Sequence, residues 1–180
     1  MERSKIGKYS NAKGKRYERN LCKKLSRFFF DRNDLFTRYG AEYAGQLPGD
    51  IGPFIKNNIT ATIEFIRKFP FCFECKKREE WSFKELFISD NNHIWNYWKQ
   101  CEEQANRFDK HPVLIISKNY YPDFIMLQKN TTINQFDLII PDTHIQIKGN
   151  WYIINLKDFI EDNKNTTIIL TLKNEMLKLL

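Results

Sequence analysis

Apolar residues recur at the spacing of an α-helix in two segments of the chain. The first segment repeats them at intervals of four, four and three residues, at Tyr17, Leu21, Leu25 and Phe28. This pattern predicts a helix over residues 11–30, with Asn11 as its N-cap and a mobile arm over residues 1–11 in front of it. The second segment, between Ile94 and Phe108, predicts a helix over residues 93–108.

Several shorter runs are rich in β-branched and aromatic residues, which is typical of strands. We expect strands over residues 59–66, 71–77, 112–117 and 124–127, and a short helix or turn over residues 81–87. Glycine and proline recur in residues 39–53, which predicts an irregular connector. The resulting order of helix, strand, strand, helix and strand predicts a mixed α/β core.

The composition changes after about residue 129. Residues 130–180 are rich in Ile, Thr and Asn, with short alternating runs at residues 144–148 and 151–156. Alternation with a period of two favours strands, so we expect a β-rich C-terminal extension packed on the core. The chain would then divide into a core over residues 1–129, which includes the basic arm, and an extension over residues 130–180.

The composition excludes several classes of protein. The chain has 180 residues, of which 42% are hydrophobic, which is enough to bury a core. No apolar run approaches the roughly 18 residues that span a bilayer, and the first residues lack the apolar stretch of a secretion signal. Four cysteines are too few for a disulfide scaffold. We therefore expect a cytoplasmic protein without a membrane contact or an organic cofactor.

The positive charge of the chain is concentrated at one end. The net charge is +7, and residues 1–24 contain nine basic and two acidic side chains, whereas the remaining residues contain 20 of each. A basic terminal segment is typical of proteins that bind a polyanion, most often a nucleic acid. The alternative is a solvated basic arm without a partner.

The segment 71–77, with the sequence FCFECKK, contains the strongest candidate chemistry. On a strand, Phe71, Phe73 and Cys75 share one face, so Glu74 and Lys76 lie side by side on the other. A buried carboxylate and ammonium are costly unless they pair with each other or serve a metal ion. An ordinary buried ion pair is therefore the simplest alternative.

Two further carboxylates accompany this segment. Asp50 lies in the glycine-rich sequence PGDIG, where we expect the glycines to let the backbone approach a ligand closely, and Glu18 lies on the basic helix. Carboxylate oxygens suit a hard divalent cation such as Mg²⁺, which activates water and offsets the charge of a phosphate. A neighbouring lysine can orient that water or stabilise the developing negative charge.

Other candidate sites are weaker. Cys72 and Cys75 are three positions apart, so on a strand their sulfurs point to opposite faces and cannot bind one zinc ion together. Gln100 and Gln104 are one helical turn apart and are predicted to contact Glu74, Lys76 or a phosphate, or simply to be solvated. An aromatic cluster is expected to pack in the core or at a dimer interface, with stacking on exposed bases as the alternative: Trp81, Phe83, Trp95, Tyr97 and Trp98.

These motifs resemble those of a known superfamily. The sequence GKRYER at residues 14–19, GDI at residues 49–51 and ECK at residues 74–76 stand in the order found in PD-(D/E)xK nucleases, and they look most like archaeal-type and phage-encoded Holliday junction resolvases. The resemblance implies a restriction-endonuclease-like mixed central sheet flanked by helices. It also implies hydrolysis of DNA phosphodiester bonds with Mg²⁺, or Mn²⁺ in its place, by a homodimer that acts on branched DNA.

Carried over residue by residue, the resemblance implies a catalytic set of Glu18, Asp50, Glu74 and Lys76. The metal ligands would be the carboxylates of Asp50 and Glu74 with the backbone carbonyl of Cys75. The residues that contact DNA would be Lys13, Lys15, Arg16, Arg19, Arg38, Lys77, Gln100 and Gln104, with Arg38 near the scissile phosphate.

The resemblance covers about residues 12–127. Asp50 and Glu74 are 24 positions apart, which is more than a tight hairpin needs and predicts an insertion between them. Two other functions remain open: a restriction- or repair-type endonuclease of the same fold, and a catalytically idle DNA-binding module. The complete set of four catalytic residues argues against the idle module.

Overall fold

A seven-stranded mixed sheet lies at the centre of the protein, in the order β1-β2-β3-β4-β5-β7-β6. The structure is a computed structural model that describes the backbone of residues 2–40, 45–89 and 91–180, and the side chains from residue 12 onward within those ranges. The strands are β1 (Phe36–Arg38), β2 (Ile51–Pro53), β3 (Phe71–Lys77), β4 (His111–Ser117), β5 (Phe124–Gln128), β6 (His144–Ile147) and β7 (Trp151–Asn155). Strands β3 and β4 are parallel over seven residue pairs, and the other neighbouring strands are antiparallel.

Helices cover both faces of the sheet. They are α1 (Glu2–Phe30), α2 (Ile59–Lys68), α3 (His93–Arg107), α4 (Leu156–Asn163) and α5 (Thr167–Leu177), with a short 3-10 helix at Phe83–Phe87 and a π-helical turn at Lys129–Ile133. One apolar core joins the sheet to α1, α2, α4 and α5. A second core joins the opposite face to α3 and the 3-10 helix. The predicted fold class, a restriction-endonuclease-like mixed sheet flanked by helices, is confirmed.

The side chains of β3 divide between these two cores as predicted. Phe71, Phe73 and Cys75 belong to the core beneath α1. Glu74 is paired in register with Leu114, which belongs to the core beneath α3. The alternation therefore places the carboxylate of Glu74 on the α3 side of a strand whose first five residues are buried.

Helix α1 is fixed to the sheet by a cluster of phenylalanines around Phe29. The centre of the Phe29 ring lies 4.7–6.1 Å from those of Phe28, Phe30, Phe36, Phe69, Phe71 and Phe73. Aromatic pairs at such distances add to the free energy gained from burying apolar area. This cluster holds the rest of α1, including Glu18, over the sheet.

Most of the elements predicted for the core are present, but one is of the wrong type. The predicted strand over residues 59–66 is helix α2 instead. Its buried residues Ala61, Thr62, Phe65 and Ile66 follow a helical period, and the Asn58 side chain caps its first turn by accepting a hydrogen bond from the Ala61 N–H. Helix α2 occupies the interval between Asp50 and Glu74, so the predicted insertion is confirmed.

The N-terminal segment also differs from the prediction. Helix α1 begins at Glu2, so the mobile arm predicted over residues 1–11 was wrong for the backbone; the basic side chains of Arg3, Lys5 and Lys8 lie outside the described residues. The connector predicted over residues 39–53 contains β2, and β1 precedes it. Each of the two strands has only three residues, which is too few for an alternating hydrophobic pattern to be recognised in the sequence.

The C-terminal segment contains the two predicted strands, β6 and β7, which extend the central sheet beside β5. Helices α4 and α5 follow them and were not predicted. Leu127, before residue 129, and Phe159, after it, belong to the same apolar core. The division of the chain at residue 129 stays a prediction. None of the helices in the described part of the chain is long and apolar enough to cross a membrane.

Candidate active site

A cleft of about 190 Å³ opens where α1 passes over the ends of β1 and β3 and the start of β2. It is lined by the residues Gly14, Lys15, Tyr17, Glu18, Arg38, Asp50, Cys75, Lys76, Lys77 and Arg78. The structure thus brings together three of the four predicted catalytic residues, Glu18, Asp50 and Lys76. The fourth, Glu74, is two residues from Lys76 on the same face of β3.

Asp50 is held in the cleft by backbone hydrogen bonds on both sides. Its N–H donates to the Phe73 carbonyl on β3, and its carbonyl accepts from the Tyr39 N–H just after β1, both over 2.8 Å. Its carboxylate oxygen Oδ2 accepts from the Cys75 N–H, also over 2.8 Å. Burial raises the pKa of Asp50, and the Cys75 N–H and the positive charges of Lys76 and Arg38 oppose that shift.

Gly49 explains why Asp50 can lie so close to β3. Its φ is +86°, and a Cβ atom there would lie 2.9 Å from the Phe73 nitrogen and closer still to the Phe73 carbonyl oxygen. Any residue with a side chain would therefore collide with the backbone of β3. The close backbone approach expected at this glycine is made to a strand rather than to a ligand.

Glu18 and Arg38 form an ion pair across the cleft, between α1 and the last residue of β1. Both side chains are partly buried. Burial raises the pKa of Glu18, while its hydrogen bond from Arg38 works in the opposite direction. The pair fixes the guanidinium of Arg38 on the wall of the cleft.

Glu74 has the least solvated carboxylate of the site. Its side chain is 1% exposed, and it forms an ion pair with the ammonium of Lys76. Apart from Lys76, no group in the described part of the chain donates a hydrogen bond to its two oxygens. Burial, and secondarily the negative charge of Asp50, raises the pKa of Glu74 to about 7, although Lys76 opposes the shift.

The buried ion pair between Glu74 and Lys76, which was the simplest alternative to a metal site, is therefore present. It is not isolated from the other charged residues. Lys76 lines the same cleft as Asp50, and its Nζ lies 5.9 Å from the centre of the Tyr97 ring. Its positive charge acts on Glu18, Asp50 and Glu74 together. Together with Arg38, Lys76 gives two positive charges to three carboxylates, which leaves room for a further cation.

The carboxylates of Asp50 and Glu74 fit a divalent metal ion. Glu74 presents two buried oxygens with few donors, and hard cations prefer oxygen ligands. In a strand, the N–H and the C=O of one residue point toward the same neighbouring strand. The Cys75 N–H donates to the Asp50 carboxylate, so the Cys75 carbonyl also faces Asp50. Among the described residues, no cluster of three or more His, Cys, Asp or Glu side chains could hold a metal, so a site here would depend on this carbonyl.

The predicted DNA-binding residues fall into three groups. Lys15, Lys77 and Arg38 line the cleft, and Lys77 donates to the Ser117 hydroxyl over 3.1 Å. Lys13 is exposed and pairs with Glu79 at 2.9 Å. Arg16 and Arg19 lie in a separate groove on another side of α1, which Arg38 also lines.

Gln100 and Gln104 lie on α3 and do not line the cleft, and neither forms a hydrogen bond with Glu74. The contact with Glu74, which was the alternative to solvation, is therefore absent. All four cysteines are buried and free. Trp81, Trp95 and Trp98 are buried in the core beneath α3, so the packing role expected for the aromatic cluster is confirmed for them.

Three residues that line the cleft, Gly14, Tyr17 and Arg78, were not among the predicted site residues. Tyr17 has a buried ring that lies 5.1 Å from the Nζ of Lys77, and Arg78 directly follows β3. Tyr17 belongs to the apolar stripe of α1, so its spacing indicated only a core residue. The alternation of β3 could have indicated Arg78, because it continues the face of Glu74 and Lys76 by one more step.

The fold and the cleft define a nuclease of the restriction-endonuclease-like PD-(D/E)xK class. The sequence model of the family described as "phage putative PDDEXK endonuclease" matches residues 9–174, and the chain belongs to this family. The match includes the C-terminal strands and most of α5, beyond the residues that carried the resemblance. No curated protein and no solved structure matches the chain.

The burial of Glu74 predicts an unusual pH dependence of stability. Its pKa is about 7 in the folded protein and 4.5 ordinarily, so the folded state binds more protons between these values. In the presence of a chelator that keeps the protein free of metal, the free energy of unfolding should therefore fall as the pH rises from 4.5 to 7. The variant Glu74→Gln should flatten this fall, so that its stability relative to the wild type should increase by about 1–3 kcal/mol between pH 5 and pH 8.

Urea unfolding at pH 5 and pH 8 measures this effect. Glu103→Gln, which removes an exposed carboxylate from α3, is the control and should follow the wild type. A wild-type stability that changes between pH 5 and pH 8 by the same amount as that of Glu74→Gln would contradict the assigned environment of Glu74.

Gly49→Ala should displace Asp50 and reduce cleavage at least tenfold, because the new Cβ collides with the backbone of Phe73. Gly149→Ala is a matched control, since Gly149 has a φ of +69° but nothing within 4 Å of its added Cβ. Both variants are strained by the positive φ, by about 1 kcal/mol. Equal losses of nuclease activity in the two variants would show that the contact with Phe73 is unimportant.

Proposed function

We propose that the protein is a Mg²⁺-dependent endodeoxyribonuclease, with Mn²⁺ as a substitute, which cuts branched DNA such as Holliday junctions as a homodimer. The observation that supports it most is the convergence of Glu18, Arg38, Asp50 and Lys76 on one cleft beside the buried carboxylate of Glu74. As a member of a phage family, the protein would meet its substrate in the host cytoplasm.

Asp50, Glu74 and the carbonyl of Cys75 would hold the metal ion. When bound, such an ion lowers the pKa of a water molecule and offsets the charge of the scissile phosphate. The buried position of Glu74 keeps competing water away from its oxygens, and the hydrogen bond from Cys75 fixes the orientation of Asp50.

Lys76 would act on the reacting atoms directly. Its side chain is 18% exposed, so it reaches the cleft from β3 while it remains paired with Glu74. An ammonium in this position donates hydrogen bonds to the attacking water or to a phosphate oxygen, and it stabilises the negative charge that develops there.

Arg38 would bind the scissile phosphate. Its guanidinium presents several N–H donors in a planar fork, which matches the oxygens of a phosphate. Glu18 accepts a hydrogen bond from Nε of Arg38 and so positions the guanidinium. Lys15 and Lys77, which line the same cleft, would contact the flanking phosphates.

The number of sites per chain supports a dimer. One chain carries one set of these residues, whereas resolving a four-way junction requires two matched cuts. A twofold axis would supply both sites. The described surface has exposed apolar side chains available for such an interface, among them Ile59 and Ile63 on α2 and Phe87 and Ile88 near the 3-10 helix.

Asp50→Asn should abolish Mg²⁺-dependent cleavage, because a neutral amide is a poor ligand for a hard cation. DNA binding should persist or become tighter, since removing a negative charge lowers the repulsion of phosphate. Nicking of a supercoiled plasmid and a gel-shift assay measure the two effects. Asp142→Asn, at an exposed aspartate, is the control. Full activity of Asp50→Asn would refute the assignment, and inactivity of the wild type with Mg²⁺ and Mn²⁺ would favour an idle binding module.

The proposed substrate is tested by comparing a four-way junction with linear duplex of equal length. The protein should bind the junction more tightly and cut opposing strands symmetrically, as seen by labelling each strand in turn. Light scattering should give the mass of a dimer, twice 21.7 kDa. A monomer that cuts linear duplex equally well would instead indicate a restriction- or repair-type endonuclease.

A further inference from the structure

A second basic depression lies on another side of α1 from the cleft. This groove, of about 470 Å³, runs between α1 and the edge strand β1. Its basic lining residues are Arg16, Arg19, Lys23 and Arg38, and the neutral polar residues Asn20 and Thr37 lie among them. No acidic residue of the described chain lines it, in contrast to the cleft.

Three basic side chains of α1 line the groove, those of Arg16, Arg19 and Lys23. Neighbouring side chains do not neutralise their charges. Lys13 and Lys24, on the same helix, pair with Glu79 and Asp123. No acidic side chain in the described ranges forms an ion pair with Arg16, Arg19 or Lys23. Their charges are therefore available for an anion from outside the molecule.

The spacing of these cations suits an extended anion rather than a small one. Arg16, Arg19 and Lys23 follow one another at intervals of three and four residues, so they share one face of the helix. With a rise of 1.5 Å per residue, they span about 10 Å. One strand of DNA presents a charge about every 3.4 Å of helix axis, so the row matches about three phosphates.

Helix α1 separates the groove from the cleft. Gly14, Tyr17 and Glu18 line the cleft, whereas Arg16 and Arg19 line the groove, so the two depressions use different faces of the helix. A helix with its side chains is about 10 Å thick, so one strand cannot occupy both depressions at the same level. They meet at Arg38, which lines both.

We propose that the groove binds the sugar–phosphate backbone of the uncut strand of a forked DNA, while the strand to be cut lies in the cleft. Helix α1 then stands between the two strands where they part. This inference rests on the proposed nuclease function and adds the means by which a fork is distinguished from linear duplex. The contacts are to phosphates, so the groove confers no sequence preference.

Binding measurements in a chelator test the proposal without cleavage. The triple variant Arg16→Gln, Arg19→Gln, Lys23→Gln should reduce the affinity for a forked DNA about tenfold or more relative to linear duplex. The slope of the logarithm of the binding constant against the logarithm of the salt concentration should become shallower by about 2 for the fork. This corresponds to roughly 0.7 for each lost contact with a single strand. The control is Lys99→Gln, Arg107→Gln, Lys157→Gln, which removes the same charge from exposed positions on α3 and α4.

A crosslink identifies the strand in the groove. Cys22 lines the groove and is replaced by Ala in the background protein, whereas the other three native cysteines are buried. In this background, Asn20→Cys introduces an exposed thiol within the groove, and Asn96→Cys introduces one on α3 as a control. With a thiol-reactive group on either strand of the fork, Asn20→Cys should react with the uncut strand, and Asn96→Cys with neither.

The proposal is overturned if the groove variant and the control lower fork and duplex binding equally, if the wild type does not prefer the fork, or if Asn20→Cys reacts with the cut strand. These results would leave the proposed metal-dependent cleavage intact, because that depends on the loss of cleavage in Asp50→Asn. A wild type without a fork preference would, however, also count against branched DNA as the substrate. Conversely, a protein that never cleaves DNA but still prefers the fork and still forms the crosslink would support the proposed DNA binding in the groove. It would refute the proposed nuclease activity.

Discussion

The burial of a carboxylate at Glu74, on a strand inside the sheet, is the constraint on which the site depends. An ionised carboxylate away from water is costly unless a cation compensates it. Lys76 supplies one cation, and it does so because side chains two positions apart share a face of a strand. The strand must therefore stay extended and in register, which its seven pairs with β4 and the phenylalanines packed on its other face ensure.

The remaining residues reach the cleft from short elements that would have little stability alone. Strands β1 and β2 have three residues each, yet Arg38 ends the first and Asp50 precedes the second. The Arg38–Ile51 pairing and the bonds of Asp50 to Tyr39 and Phe73 fix both in place. A carboxylate whose backbone is bonded on both sides has little freedom to move, which is the condition for pre-organised chemistry.

How far the sequence predicted the structure depended on the length of each pattern. The stripe on α1 and the alternation of β3 were long enough to predict the positions of Glu18, Glu74 and Lys76. Residues 59–66 were misread because their β-branched composition outweighed the helical spacing of Ala61, Phe65 and Ile66, and propensity is a weak guide beside burial. The C-terminal helices were detectable in the same way, since the buried residues of α5, Ile169, Leu172 and Met176, lie three and four apart.

Other features depend on contacts distant in sequence, which no local pattern contains. The groove requires α1 to lie beside β1, and the role of Gly49 requires the backbone of Phe73 at its side. Gln100 and Gln104 show the converse: they lie one turn apart on α3, but neither lines the cleft. Spacing identifies a helical face, and packing decides what that face meets.

The charges of the site separate the requirements for binding from those for cleavage. Three carboxylates, Glu18, Asp50 and Glu74, lie close to two cations, Arg38 and Lys76, and the pKa of all three carboxyls is raised. Fully ionised, this set has one negative charge in excess, and one divalent cation would make the excess positive. On the proposals made above, the basic residues around the cleft and in the groove would bind DNA independently of that ion. Binding would then depend on α1 and the end of β3, and cleavage on a cation beside Glu74.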